Sequence, residues 1–285
     1  MSYRSVFRPG LFAGQTVIVT GAGSGIGRCT AHELAALGAH VVLIGRTLAK
    51  LEAVAAEIGA DGGEASPLAC DIRDEGAVQA TVAAAIAARG RIHGLVNNAG
   101  GQFPAALGGI SARGWQAVIA NNLTGGFLMA RECYNQSMRA HGGAIVNMLA
   151  DMWNGMPGMG HSGAARAGML NFTETAACEW APVRVNAVAP GWIASSGMDT
   201  YPDAMKPLIQ GLARHVPAGR MGTESEVAAA IVFLLSEAAA FVSGACLRID
   251  GAAPNARRHW MMSSMQPSPE FDGFHRSRKP RVLGG

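Results

Sequence analysis

The chain has little charge, few aromatics and no long apolar run. Charged residues are 15% and aromatics 6% of its 285 residues, against 49% apolar ones. That length buries a substantial core and fits one large α/β domain. No apolar stretch approaches the roughly 20 residues of a bilayer span, so no membrane contact is expected. Residues 1–14 carry Arg4 and Arg8 but no apolar signal core, and the expected location is the cytoplasm. The five cysteines (Cys29, Cys70, Cys133, Cys178 and Cys246) are scattered, odd in number and without CxxC spacing. That pattern argues for reduced thiols, against disulfides and against a metal site. The net charge of +3 does not indicate nucleic-acid binding. So few charges favour surface covered by further copies of the chain, with a large monomer core as the alternative.

What is present is organised around Thr20-Gly21-Ala22-Gly23-Ser24-Gly25-Ile26-Gly27. The β-branched run 16–19 before it reads as a buried strand, and the segment 28–37, stopped by Gly38, reads as a helix. A glycine-rich turn between strand and helix exposes backbone N–H groups to an anion, and the helix N-terminus adds partial positive charge. This context points to a pyrophosphate site at Gly21, Ser24, Gly25, Ile26 and Gly27.

Apolar runs and helical spacing then alternate. Strands are expected at 41–44, 66–70, 92–96, 144–148, 183–189 and 245–249. Helices are expected on Leu48, Leu51, Val54 and Ile58 and over 75–88, 114–140, 162–180 and 224–236, the last opened by a capping-box-like Thr223-Glu224-Ser225-Glu226. Alternation of this kind implies a doubly wound parallel sheet, Rossmann-like, with helices on both faces and ligands beyond the C-terminal strand ends. After strand two stands Arg46, where a NAD site places an acid. An arginine there suits a 2′-phosphate, so NADPH is preferred to NADH, unless Arg46 is merely solvated. Asp71 could accept from an adenine amino group. Asn97 and Asn98 could bridge neighbouring strand ends, and the small Ala99 and Gly100 leave room for a flat ring.

The glycine motif, Asp71, Asn97-Asn98-Ala99-Gly100, Asn122 in Asn121-Asn122-Leu123-Thr124, and Pro190-Gly191 occur together and in order. Over residues 12–252 the chain resembles the short-chain dehydrogenases/reductases. The resemblance implies a seven-stranded sheet and a homodimer or homotetramer. It places Asp71, Ile72, Asn98, Ala99, Gly100, Pro190, Gly191 and Ile193 against the cofactor, Ile193 at its carboxamide, and Asn122 on a water-linked proton path. The family's Tyr-x-x-x-Lys is absent: counting back from Ala167-Gly168, Ser162 replaces the tyrosine and Arg166 the lysine. The only tyrosines are Tyr3, Tyr134 and Tyr201.

The run His161-Ser162-Gly163-Ala164-Ala165-Arg166-Ala167-Gly168 is similar to the peroxisomal trans-2-enoyl-CoA reductase branch. A second similarity is to bacterial reductases of citronellol/citronellal breakdown. The first implies NADPH-dependent reduction of an acyl-CoA, the second a hydrophobic alcohol or aldehyde; a non-catalytic dinucleotide-binding protein is a third reading. Enoyl reduction tolerates the missing tyrosine because charge builds on a thioester oxygen, which needs donors or a cation. Arg166 can hold the cofactor ribose or that charge. Ser162 can donate a hydrogen bond or cap the helix. His161 can protonate the α-carbon or be a satisfied loop residue. Asp151 can orient His161 or a water, or cap the next turn. Residues 191–217, rich in Ser, Met, Pro and Gly, read as a substrate lid on a single reductase domain over 1–252. The basic tail 253–285, with Arg257, Arg258, Arg276, Arg278, Lys279 and Arg281, reads as an inter-subunit or disordered arm, with coenzyme A phosphate recognition as the alternative.

Overall fold

A computed structural model describes residues 2–256 and 267–284. In chain order the elements are β1 (Thr16–Thr20), α1 (Gly25–Ala36), β2 (His40–Gly45), α2 (Leu48–Ala60), β3 (Glu64–Ala69), α3 (Glu75–Arg89) and β4 (Gly94–Asn97). Then follow α4 (Ala112–Ile119), α5 (Gly125–Cys133), α6 (Arg139–His141), β5 (Ala144–Met148), α7 (Gly160–Glu179), β6 (Arg184–Pro190), α8 (Lys206–Gly211), α9 (Glu224–Leu235) and β7 (Cys246–Ile249). The seven strands form one parallel sheet in the order β3-β2-β1-β4-β5-β6-β7.

The strand sequences explain why both faces are covered. In β1 and β2, Val17, Val19, Val41 and Leu43 pack on one face with Leu34 of α1 and Val227 and Ile231 of α9. The alternate residues Ile18, Val42 and Ile44 point to the other face, against Val78 and Val82 of α3 and Leu128 and Met129 of α5. Continuous apolar strands of this kind are stable only between two helical layers. The order reverses between β1 and β4, and the cleft beyond their C-terminal ends is where such sheets bind ligands.

The expected strand and helix pattern is present, with one refinement and one correction. The helix anticipated over 114–140 runs over 112–141 but is interrupted by wide turns at Ala120–Thr124 and Tyr134–Met138. The first of these carries Asn122, and such bulges re-aim helical side chains at functional sites. The capping box at the start of α9 is formed between Thr223 and Glu226.

The expectation of a disordered tail is corrected for residues 267–284, which fold back on their own chain. Phe274 is buried with Tyr3, Cys29 and Ala228. Arg276 makes two hydrogen bonds to Asp61, at 2.9 and 2.8 Å, and Arg220 donates to the carbonyls of Ser268 and Pro269. The driving force is apolar: Phe274 finds a slot between α1 and α9. Arg257 and Arg258 lie outside the described residues. No described helix is long and apolar enough to cross a membrane.

Beneath this docked tail, Glu33 is fully buried and accepts from Tyr3 Oη at 3.1 Å and Ser5 Oγ at 2.8 Å. Burial pushes its carboxyl up to about 7, despite the two hydroxyl donors. A folded-state value above the unfolded one means that the native state binds the extra proton. Stability from this group is therefore complete at low pH and is lost as pH rises towards 7. Glu33→Gln should raise the thermal midpoint at pH 8 and flatten its fall between pH 5 and 8, a difference on the order of 2 kcal/mol. Thermal unfolding of both proteins across that range checks it.

Candidate active site

At the sheet's switch point the turn after β1 meets the loop after β4. Gly21 and Gly25 have φ of +65° and +58°, which L side chains rarely adopt. The contact is also too close for a side chain. A Cβ on Gly27 would lie 2.4 Å from Asn98 Nδ2 and from the Gly21 carbonyl, and one on Gly21 would lie 2.9 Å from Ala99 Cα. Thr20 Oγ1 ties the two loops, accepting from the amides of Asn98 at 3.0 Å and Ala99 at 2.9 Å. Asn98 Nδ2 returns a bond to the Thr20 carbonyl at 2.9 Å. Ser24 stands at the N-cap of α1 and makes no side-chain bond to the first-turn amides. Next to this turn is a cleft of about 170 Å3 lined by Gly21, Ser24, Arg46, Asp71, Ile72, Ala99 and Gly100. The cradle fits a dinucleotide: glycines where a Cβ would intrude, an uncapped helix N-terminus, and Arg46 with Lys50 at one end.

Asp71 is already engaged, since Arg73 Nε donates to its Oδ1 at 2.8 Å. That bond holds its carboxyl down to about 2, below the ordinary carboxylate range. Oδ1 also accepts from the Arg73 amide, while Oδ2, bonded once to Arg73 Nη2, keeps a lone pair for an amino group. Asn97 bridges strand ends as expected. Its Nδ2 donates to Asn147 Oδ1 and to the Gly126 carbonyl, and Asn147 donates in turn to Thr173, each at 2.9 Å. Asn122 clamps Gly101 through both backbone groups, at 2.8 and 3.0 Å. Ile193 is buried, paired by backbone with Gly222. Behind it Gly191 lies so close to Asp250 that a Cβ would come within 2.9 Å.

The residues at the family's tyrosine and lysine positions are both buried. Arg166 Nη1 donates to the Met148 carbonyl, its Nε has no partner, and a Cβ on Gly100 would lie 2.6 Å from its Nη2. Burial pulls its guanidinium down to about 10, so it stays a cation at neutral pH. Ser162 is neither a free donor nor the N-cap, which is Met159. Its hydroxyl donates to Gln102 Oε1 at 2.6 Å. His161 is fully buried, its Nδ1 accepting from the Ser162 amide at 2.9 Å and its ring 4.5 Å edge-on from Phe103. Its Nε2 is orphaned, and it is not among the residues that line the neighbouring cavity.

That cavity, about 270 Å3, is lined by Gln102, Asp151, Met156, Met159, Gly191 and Trp192, among others. Asp151 Oδ1 is buried without a partner. Burial and the facing Asp250 carboxylate raise its pKa, while Arg248 and the Trp153 amide oppose the rise. Asp151 does not touch His161; the turn amide and the cavity are its neighbours. Sequence reasoning missed Thr20, Lys50, Asn147, Gln102 and Tyr201 as site residues. Lys50 was legible as a cation in the first turn of the helix that follows Arg46. Gln102 was legible only as the side chain next to the Asn98–Gly101 loop, because its partner Ser162 is 60 residues away.

Comparison with known proteins agrees with this geometry. The family described as enoyl-(acyl carrier protein) reductase matches residues 21–252. A probable 2,4-dienoyl-CoA reductase ((2E)-enoyl-CoA-producing) of Bacillus subtilis is 37% identical over 246 residues, 83% of this chain and 95% of that one. The peroxisomal 2,4-dienoyl-CoA reductase ((3E)-enoyl-CoA-producing) of Pongo abelii is 34% identical, covering 88% of each. Among solved structures, citronellol catabolism dehydrogenase (AtuB) of Pseudomonas aeruginosa PAO1 is 66% identical with a TM-score of 0.80, covering 88% of this chain and 99% of that one. A putative NAD(P) dependent gluconate 5-dehydrogenase of Beutenbergia cavernae with bound NADP is 34% identical with a TM-score of 0.81, covering 87% and 100%. With the fold, the glycine turn and these relatives in agreement, the chain belongs to the short-chain dehydrogenases/reductases, a family of NAD(P)-dependent oxidoreductases.

Proposed function

We propose that the protein is an NADPH-dependent reductase of α,β-unsaturated acyl thioesters. The observation that carries the reading is the pair at the tyrosine and lysine positions. Ser162 is bound to Gln102 and Arg166 is a buried, fixed cation, so neither suits carbonyl reduction by a phenol. When bound, the nicotinamide supplies a hydride to the β-carbon.

The chain's own residues do the rest. First-turn amides of α1 neutralise the pyrophosphate, Arg46 and Lys50 take the 2′-phosphate, and Asp71 takes the adenine amino group. Ile193 and the Pro190–Gly191 turn face the carboxamide, and Arg166 holds the ribose side and its field. As the α,β double bond is reduced, negative charge moves to the thioester oxygen. Gln102, its carbonyl fixed by Ser162, turns an N–H to that oxygen. Asn122 holds the Gly101 backbone, and His161 supports the same loop by packing on Phe103. Asp151, whose acid form is favoured by burial and by Asp250, delivers a proton to the α-carbon directly or through a water. The Met156, Met159 and Trp192 walls accept an apolar chain.

The 66% likeness to a citronellol catabolism dehydrogenase favours a second reading, interconversion of an acyclic terpenoid alcohol and aldehyde. In that reading Asp151 exchanges the alcohol proton.

NADPH oxidation with trans-2-enoyl-CoAs of rising chain length, beside citronellal, separates the two. Turnover of the thioesters is expected, and turnover of citronellal alone would overturn the reading. Tight NADPH binding with no turnover would leave a binding protein. Arg46→Asp should raise the KM for NADPH about 100-fold and narrow or invert its advantage over NADH, read from initial rates with each cofactor. Gln102→Leu should lower kcat by about 100-fold, with NADPH affinity retained, as read by fluorescence titration. For Asp151 the active form is the acid, so the rate should fall as pH rises through its elevated pKa. Asp151→Asn should be at least about 100-fold slower and should lack that limb in its pH–rate profile.

A further inference from the structure

The lid carries a phenol to the site, and the chain's own C-terminal turn holds it there. Tyr201 Oη accepts from Gln102 Nε2 at 3.3 Å, and the other end of that amide accepts from Ser162 Oγ. An amide bracketed in this way has its last torsion set. The oxygen is committed to Ser162 and one N–H to Tyr201, which leaves the second N–H for the cavity that Gln102 lines. Either bond alone would leave the amide free to turn its oxygen towards the substrate oxygen, where two acceptors repel.

The lid cannot hold Tyr201 by itself. Its helical pieces are Ser196–Thr200, Asp203–Met205, the six-residue α8 and Leu212–His215, each too short to be stable without tertiary contacts. Those contacts form one cluster, in which Tyr201, Met205 and Met221 pack against buried Met198, Ile209, Leu212 and Val282. Val282 does not belong to the lid. It sits in the terminal turn Arg281–Leu283, where the amides of Val282 and Arg281 donate to Asp199 Oδ1 and Oδ2 at 3.1 and 3.3 Å. Gln210 Nε2 donates to the Val282 carbonyl at 3.0 Å. Asp199 and Gln210 of the lid are thus tied to the backbone of this turn, whose Val282 side chain joins the lid's apolar cluster.

We propose that Tyr201 is a positioning residue for Gln102, and that the turn Arg281–Leu283 is the clasp that keeps Tyr201 in place and limits how far the lid opens. The tail then governs the alignment of the oxygen donor and the length of chain admitted. This deepens the reading of Gln102 given above and rests on it for its kinetic arm.

In the full-length protein, Tyr201→Phe should lower kcat 3- to 10-fold, the worth of one neutral hydrogen bond. Substrate KM should stay within twofold and NADPH affinity should not change. In a Gln102→Leu background the same change should cost nothing further, because the two side chains act as one unit. Val282→Asp should raise amide hydrogen exchange across 196–212 at least tenfold while β1 and β5 stay protected, and should shift preference towards longer thioesters. Asp199→Asn, which leaves the apolar cluster intact, should do the same to a smaller degree. An unchanged kcat for Tyr201→Phe, an equal loss in the Gln102→Leu background, or unchanged lid exchange in both clasp variants would overturn the proposal. If no thioester or aldehyde is turned over at all, the reading of the reaction fails. The clasp is then decided by lid exchange alone, and the Tyr201 contact by faster exchange at 101–103 in Tyr201→Phe, whose absence would overturn it.

Discussion

The whole site depends on how closely two backbones can approach. The turn after β1 and the loop after β4 come together with no room for a Cβ at Gly21 or Gly27, and the hydroxyl of Thr20 and the amide of Asn98 lock them at that distance. Bringing these loops together puts the turn residues Gly21, Gly23 and Ser24 on the wall of the cleft on one side. On the other side it fixes the start of the segment that carries Gly100, Gly101 and Gln102. Asn122 continues the restraint by clamping Gly101. The cofactor cradle and the oxygen donor are therefore two ends of one rigid backbone arrangement.

Exchanging a tyrosine–lysine pair for serine and arginine changes what the site can do with protons. A phenol beside an ammonium gives and takes a proton near neutrality. An arginine cannot do so, even with burial drawing it down to about 10. Fixed between the Met148 carbonyl and Gly100, Arg166 contributes field and position. Its orphaned Nε leaves a buried donor whose cost is offset only by a partner that enters the site. In the proposed reaction proton transfer falls to a carboxyl whose surroundings favour its acid form, and Asp151 between the cavity and Asp250 is such a group.

The alternation of apolar strands and helices was legible because β1 and β2 are buried on both faces, so Val17 to Val19 and Val41 to Ile44 read as unbroken runs. The glycine turn was legible because sterics leave few other residues for it. Less could be read where partners are distant in sequence. Ser162 looked like a substrate donor or a cap, and only the fold reveals that Gln102 Oε1 accepts its hydrogen bond. The tail looked like a loose basic arm because its charges dominate its composition, whereas Phe274 and Val282, two apolar residues in that segment, determine where it lies.

The central claim is that the hydride goes to the β-carbon of an enoyl thioester rather than to a carbonyl carbon. Single-turnover reduction of a trans-2-enoyl-CoA with NADPH deuterated at the transferring position, in ordinary water, tests it most directly. The account predicts a saturated thioester with deuterium at the β-carbon and a solvent proton at the α-carbon. An alcohol with deuterium at the former carbonyl carbon, from citronellal or any other substrate, with the thioesters untouched, would contradict it.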